Sequence, residues 1–442
     1  MWFCESDQGW VAGQRPPMRL ERRNDEAVLV IEPIAGPTTL DEPWGWTFGL
    51  HATPVKPFPQ RWRSLRMRGD GGRISILWST PSLLKYFGYA EAADPEAFAA
   101  RVAGLREAAQ LAVPYSNLRM LSEQSPEWQY FGAVWGVPGR ADRSSSDVGA
   151  FGAPFMGVCP AAEGWADFVV WKNKQYVQTY GLGGLYHDHS VPVACDNPLH
   201  ACGWEDAEGA RHSRFPIFAA RDLYRRIYAM LKDQPYETFM MGHMSGRLMI
   251  PMLSFCDAYL DGEHFRGRVV DDYTQLLSLD AFRAEFMGKQ WGVLPYLLPE
   301  FPEGVRDERA PTRHLMSLTV LHDTLVWPSW CNREVVFGVR EALDEFGYVD
   351  AQFLGYWDNN AWLRRGQEGV KVSAYTRDGR ALLIVSNLAA ELQDIRLEVD
   401  AAVLGVVGAS AINAETGDRL PIADGTVTLS IPARDLALVW LE

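Results

Sequence analysis

Three ionisable residues in a row, His187-Asp188-His189, follow the short apolar run Gly184-Leu185-Tyr186. Charged groups at the end of a buried strand are costly unless they open to solvent or serve a reaction. Asp188 is therefore the first candidate catalytic carboxylate. A second acidic set, Asp257-Ala258-Tyr259-Leu260-Asp261-Gly262-Glu263, follows the apolar run Met252 to Cys256. Cleavage of a glycosidic bond needs two carboxyls on opposite sides of the bond, one to give a proton and one to act as nucleophile or base. Asp188 with Glu263 is the expected pair, Asp257 is the alternative carboxylate, and Asp261 is read as the turn residue that aims Glu263. Side chains leaving two strand ends toward a common mouth would sit about 5 to 5.5 Å apart, which predicts retention of anomeric configuration.

Other polar and aromatic residues recur next to apolar runs and are candidates for holding a sugar. They are Trp78, Tyr115, His187, His189, His243, Trp291, His322, Asp323, Trp357 and Asp358. Flat aromatic faces suit sugar rings, while the polar groups would bond ring hydroxyls. The same histidines support a second reading. His187 and His189 alternate along a strand and so share a side; with His243 and Asp323 they could gather a divalent ion for a metal-dependent hydrolase, in which case Asp188 points away. A third reading is a barrel that binds glycan without cleaving it. The carboxylate reading calls for no metal and no other cofactor.

The elements that must position these residues come from alternating apolar runs and amphipathic segments, the order of a parallel sheet with helices outside it. Candidate strands are Ile74 to Trp78, Ala109 to Tyr115, Phe155 to Cys159, Gly184 to Asp188, Thr238 to Met241, Met252 to Cys256, Gly292 to Leu297 and Leu318 to Leu321, with helices such as Pro95 to Ala108, Trp165 to Tyr180, Ala219 to Lys232 and Ser278 to Phe286 between them. Eight strands, with no Gly-rich phosphate turn after the first, predict an α/β fold built on a (β/α)8 TIM-like barrel, whose active site lies at the C-terminal strand ends. Residues 1–70 read as the remnant of an N-terminal β-sandwich and a Pro-rich linker, 71–365 as the barrel, and 366–442 as a C-terminal antiparallel β-sandwich. Met1 to Trp10 reads as an unpaired strand, as if the chain began inside a larger fold.

Composition narrows the partners. Among 442 residues, 42 are basic and 56 acidic, for a formal charge of -14, and no basic run is long enough to track phosphates. Nucleic acid and anionic membrane are excluded as partners on that ground, leaving a carbohydrate. The six cysteines lack the paired spacing of a zinc site and the density of a disulfide framework, so they are expected to be free thiols. Neither a secretory signal nor a membrane span is present in this chain; with the N-terminus reading as truncated, a periplasmic or extracellular location is compatible.

Between Cys195 and Glu263 the sequence resembles a known family. The matching stretches are Cys195-Asp196-Asn197-Pro198 leading to Cys202-Gly203-Trp204, then Phe215 to Tyr228, His243-Met244-Ser245, and Asp257 to Glu263; Gly49 to Pro57 adds the join before the barrel. These look like bacterial proteins similar to glycoside hydrolase family 123. The resemblance spans most of residues 1–386 and implies a glycosidase barrel acting on a glycan. Family 123 enzymes are associated with an adjacent Asp-Glu pair that assists an N-acetyl group. Here Asp25-Glu26, Asp41-Glu42, Asp307-Glu308 and Asp344-Glu345 all fall in turn, loop or helix contexts.

Overall fold

Seven short strands form one parallel sheet in chain order in the computed structural model, which describes residues 1–40, 43–408 and 410–442. They are β1 (Ile74–Leu77), β2 (Leu111–Asn117), β3 (Gly184–Asp188), β4 (Phe239–His243), β5 (Ala258–Asp261), β6 (Leu294–Leu297) and β7 (Leu325–Val326). The main helices are α1 (Pro95–Glu107), α2 (Glu163–Tyr180), α3 (Ile217–Lys232), α4 (Leu279–Phe286), α5 (Arg309–Leu321) and α6 (Arg333–Phe346). The architecture is α/β, a TIM-like barrel that stays open between β7 and β1. The segment beside that seam is not a strand of the sheet, but Met67 bridges to Ile74, and Trp62, Leu65 and Met67 join the barrel interior.

The two-residue period of a strand sorts the side chains into two layers. Val113, Tyr115, Tyr186, Phe239, Met241, Ala258, Leu260, Leu294 and Tyr296 pack inside the barrel, while Ala112, Leu185, Met240, Tyr259 and Val293 meet the helices. The same parity turns Asp188 and His243 inward and His187 outward.

The strand count differs from the sequence expectation, and three corrections account for it. Phe155–Val158 is a strand, but of a small antiparallel sheet with Met120–Ser122 and Gly136–Asp142 inside the insertion between β2 and α2. The run Met252 to Cys256 begins in the short helix Ile250–Leu253, which carries Pro251 in its first turn, and the fifth strand follows only at Ala258. Leu318 to Leu321 is the last turn of α5. That helix is buried along most of its length from Pro311 on because it lies between two cores, the barrel and the C-terminal sheets; Ser386 Oγ donates to its Ser317 carbonyl at 2.8 Å, and Arg313 reaches Asp435 at 2.6 Å.

The C-terminal region is the expected antiparallel sandwich, a five-stranded sheet centred on Val370–Arg377, Arg380–Asn387 and Asp435–Leu441 facing a four-stranded one centred on Gln393–Val399 and Thr426–Ile431. At the other end of the chain, Met18–Arg23 and Glu26–Ile31 form a hairpin. Trp2–Cys4 pairs with Phe48–Leu50, so the first strand has a partner on one edge, contrary to the unpaired strand expected from sequence. The Pro-rich run after it crosses the N-terminal ends of the barrel strands, where Lys56 Nζ donates to the Cys256 carbonyl at 2.5 Å and Val55 N–H to that of Trp291 at 2.8 Å.

Candidate active site

The C-terminal ends of β3, β4 and β5 converge on one imidazole. Asp188, the last residue of β3, is the hub of the arrangement. Its Oδ2 accepts from the Tyr115 hydroxyl at 2.8 Å, and its Oδ1 accepts from the His189 backbone N–H at 2.7 Å and lies 2.9 Å from His243 Nδ1. The Tyr186 hydroxyl meets the same Nδ1 at 2.9 Å. On its other edge, His243 Nε2 lies 2.8 Å from Ser245 Oγ and 3.6 Å from Glu263 Oε2. His243 thus stands between the two carboxylates first named from sequence. Its side chain is only 8% exposed, whereas Glu263 is 41% exposed and opens to solvent.

Local backbone features aim these groups. His189 adopts a left-handed φ of 50°, which turns the chain sharply after β3 and brings its ring back to 3.7 Å from Asp188 and 2.9 Å from Arg119. Asp261 is fully buried, and its Oδ1 accepts from Gly262 N–H at 2.7 Å and Gly246 N–H at 2.9 Å, joining the turns that carry Glu263 and Ser245. Gly262 has φ 128°, and a Cβ there would meet the Leu298 carbonyl oxygen at 2.3 Å, so only glycine fits.

Charge at the mouth is divided unequally. Burial alone would raise the Asp188 pKa, but His243, His189 and the Tyr115 hydroxyl outweigh it and hold the carboxyl well below its ordinary range. Burial likewise opposes charge on His243, and the Asp188 carboxylate, with Glu263 and Asp261 beyond it, holds that imidazole above its ordinary value. Each of the two groups thus favours the charged form of the other. A third acid, Glu300, lies three residues beyond β6; burial raises its pKa, although Arg266 bonds both its oxygens at 2.9 and 3.1 Å and also reaches Glu263 at 3.1 Å.

Aromatic faces wall the mouth. Trp78, 44% exposed just past β1, packs on Tyr115, Tyr186 and Trp327 at ring distances of 5.2, 5.9 and 6.4 Å. Trp330, beyond β7, lies under the Arg266 guanidinium at 5.1 Å and borders a groove of about 800 Å³ that Asp307 and Arg333 also line.

Of the residues singled out in the sequence, Asp188, Glu263, Trp78, Tyr115, His189 and His243 come together here. The others do not. His187 faces the helix layer, 5.9 Å from the Tyr224 ring, with neither ring nitrogen bonded and its pKa held down to about 3 by burial. Asp257 precedes β5 and so lies at the opposite end of the barrel, bonded to Lys232 Nζ and the Met240 N–H, both at 2.8 Å. Asp323 precedes β7 at that same end and is held by Arg63 at 2.7 and 2.8 Å and by the Tyr375 hydroxyl at 2.8 Å. Trp291 precedes β6 and bonds the Ala284 carbonyl at 2.9 Å. His322, at the end of α5, bonds the Leu318 carbonyl at 2.7 Å and contacts Tyr356 and Trp357; Trp357 stacks under Arg283 at 4.7 Å, and Asp358 is exposed beside it. Since His187 turns outward and Asp323 lies at the far end, the four residues of the metal-hydrolase reading do not converge.

The adjacent Asp-Glu pairs also stay outside the mouth among the described residues. Asp25-Glu26 is in the N-terminal hairpin, Asp307-Glu308 is exposed before α5, and Asp344 on α6 pairs with Arg66 at 2.8 Å; Asp41-Glu42 lies outside the described residues. Sequence reasoning missed Glu300, Tyr186, Arg119, Ser245 and Arg266. Glu300 carried the same signal as Asp188, an acid just past an apolar strand.

No curated protein matches the sequence. Among solved structures, an α-amylase from Lactobacillus plantarum superposes with a TM-score of 0.56 at 11% identity, covering 88% of this chain and 98% of that one. A noncanonic maltogenic α-amylase from Thermotoga neapolitana gives 0.54 at 11% identity, covering 88% and 97%. A GH27 β-L-arabinopyranosidase from Geobacillus stearothermophilus gives 0.53 at 11%, again covering 88% and 97%. At such identities the likeness is one of fold. Residues 337–417, from α6 into the sandwich, match the family described as Glycoside hydrolase 123, C-terminal domain. That match is confined to the C-terminal region; together with a barrel folded like those of glycosidases, it makes the chain similar to glycoside hydrolase 123 proteins and supports a glycosidase.

Proposed function

We propose that this glycosidase cleaves its glycan at the mouth formed by β3, β4 and β5, with Asp188 and Glu263 as the working carboxyls and residues 71–365 as the catalytic barrel. The single observation that carries this reading is the contact chain Asp188, His243, Glu263, in which one imidazole touches both acids. Asp188 stays ionised and faces the reacting carbon or the water that attacks it. Glu263, exposed at the lip, can reach a leaving oxygen and donates the proton. Trp78 offers the sugar a flat face beside them, His189 and Arg119 bond its hydroxyls, and the groove past Trp330 receives further sugar units.

The interposed ring bears on stereochemistry. Two carboxyls that contact opposite edges of one imidazole are separated by more than the width of the ring. That supports the wider class of roughly 6.5 to 9.5 Å, which leaves room for a water and gives inversion. The retention expected from the strand positions alone required about 5 to 5.5 Å.

A screen for released reducing sugar across plant, algal and host glycans tests the activity, and proton NMR of the first product tests the outcome at the anomeric carbon. Release of an inverted sugar is the expected result. Tight glycan binding without any release would instead favour the non-catalytic reading.

A further inference from the structure

We propose that the loop between β3 and α3 is held by a structural zinc ion bound by Cys159, Cys195, His200 and Cys202. One ligand atom from each, three Sγ and the His200 nitrogen, all lie within 4.8 Å of one another. Cys159 Sγ is 3.7 Å from Cys202 Sγ, and Cys195 Sγ is 3.1 Å from His200 Nε2. Two thiolates about 2.3 Å from a tetrahedral ion stand about 3.8 Å from each other, whereas a disulfide needs its sulfurs about 2.05 Å apart. The three thiols are fully buried and the histidine half-buried. Three sulfurs and one imidazole satisfy all four positions of tetrahedral zinc, which is the closed set of a structural site.

The surroundings fit a metal in two further ways. His200 turns its other ring nitrogen, Nδ1, to the Val134 carbonyl at 2.8 Å, the outer hydrogen bond that orients a ligating histidine and leaves Nε2 free for the ion. The turn that presents the ligands is also tightly specified. Ala201 and Gly203 flank Cys202 with φ of 56° and 76°, and a Cβ on Gly203 would come within 2.5 Å of the His212 carbonyl oxygen. Arg211 and Arg214 donate to the Cys202 and Ala201 carbonyls, placing cations beside a cluster that carries net negative charge once its thiols ionise.

The reason for a staple lies in the loop itself. Residues 189–216 contain only one short 3-10 turn and a two-residue hairpin, Trp204–Glu205 with Arg211–His212, too little to bury a core of their own. Their apolar contacts at the cluster are confined to Val137, Ala161 and Val193 around the cysteines. Cys159 comes from the separate insertion between β2 and α2, so the ion joins the two segments that carry Arg119 and His189 to the mouth. Binding energy at such a site is folding energy.

The test is metal content and spectroscopy of the full-length protein, which do not depend on the proposed carboxylate chemistry. Protein purified without chelator is expected to contain close to one zinc per chain. Under reducing conditions it should exchange zinc for cobalt, giving the thiolate charge-transfer and visible bands of tetrahedral Co²⁺. Cys202→Ser should lose the zinc while Cys4→Ser keeps it, and chelation should open residues 196–214 to limited proteolysis. Reduced wild-type protein that takes up neither zinc nor cobalt overturns the proposal, as does zinc retained in full by Cys202→Ser.

Discussion

The two ends of the barrel both bury carboxylates, but they balance them in opposite ways. At the N-terminal end Asp323 is clasped by Arg63, with side chains 2% and 6% exposed, and Asp257 by Lys232 and a backbone N–H. Those partners are permanent cations or fixed donors, drawn from distant parts of the chain. At the C-terminal end Asp188 faces His243, an imidazole that can gain and lose its proton, and Glu263 stands half in water. A carboxylate locked to arginine holds a fold together. One paired with a histidine beside an aromatic wall can change its protonation during a reaction.

Substitutions should separate the two ends. The largest effect is expected from Asp323→Ala, which leaves Arg63 buried without its anion. It should cost about 3–5 kcal/mol of stability, read by denaturant unfolding, while the fraction that folds keeps its turnover. Loss of turnover with unchanged stability would erase the distinction drawn here. At the mouth, Glu263→Gln should lower kcat by about a hundredfold, as expected for removal of a general acid, with an unfolding midpoint close to wild type. A full kcat would remove Glu263 from the reaction and turn attention to Glu300.

The pH response should differ in the same sense. His243 has a raised pKa in the folded protein, so the stability it contributes is complete below its unfolded value of about 6.5 and is lost as pH rises through the folded value. Asp188 has a lowered pKa, so its contribution is present above about 3.9 and is lost as pH falls through the depressed value. The pair therefore adds most between about pH 4 and 6.5. Asp188→Asn should flatten the stability profile across the alkaline side of that window; an unchanged profile would show that the two groups are not coupled. The smallest effect is expected from Trp78→Ala, which removes a sugar platform and should raise KM by about tenfold with little change in kcat.

Much of this division was legible in the sequence, and what was not has a physical cause. Asp188 was found because Gly184 to Asp188 is a strand with a clean apolar body, and strand parity fixes where its last side chain points. Three other assignments failed through misplaced strands. Reading Leu318 to Leu321 as a strand puts His322 and Asp323 at a C-terminal end, but that run closes a helix buried on two sides, and β7 begins after them. Taking Met252 to Cys256 as a strand does the same for Asp257, whereas Glu263 lies beyond the true end of β5 as well. The cysteine cluster was invisible because its fourth ligand, Cys159, lies far along the chain from the other three, so no spacing rule could gather them.

The central claim, that Asp188 works at the mouth while the carboxylates of the opposite end only hold the fold, is tested most directly by turnover of Asp188→Asn on whichever glycan the screen identifies. The substitution keeps shape and removes charge. The account predicts a kcat lower by about a hundredfold or more in a protein that still folds cooperatively. Near-normal turnover by the folded Asp188→Asn protein would contradict it.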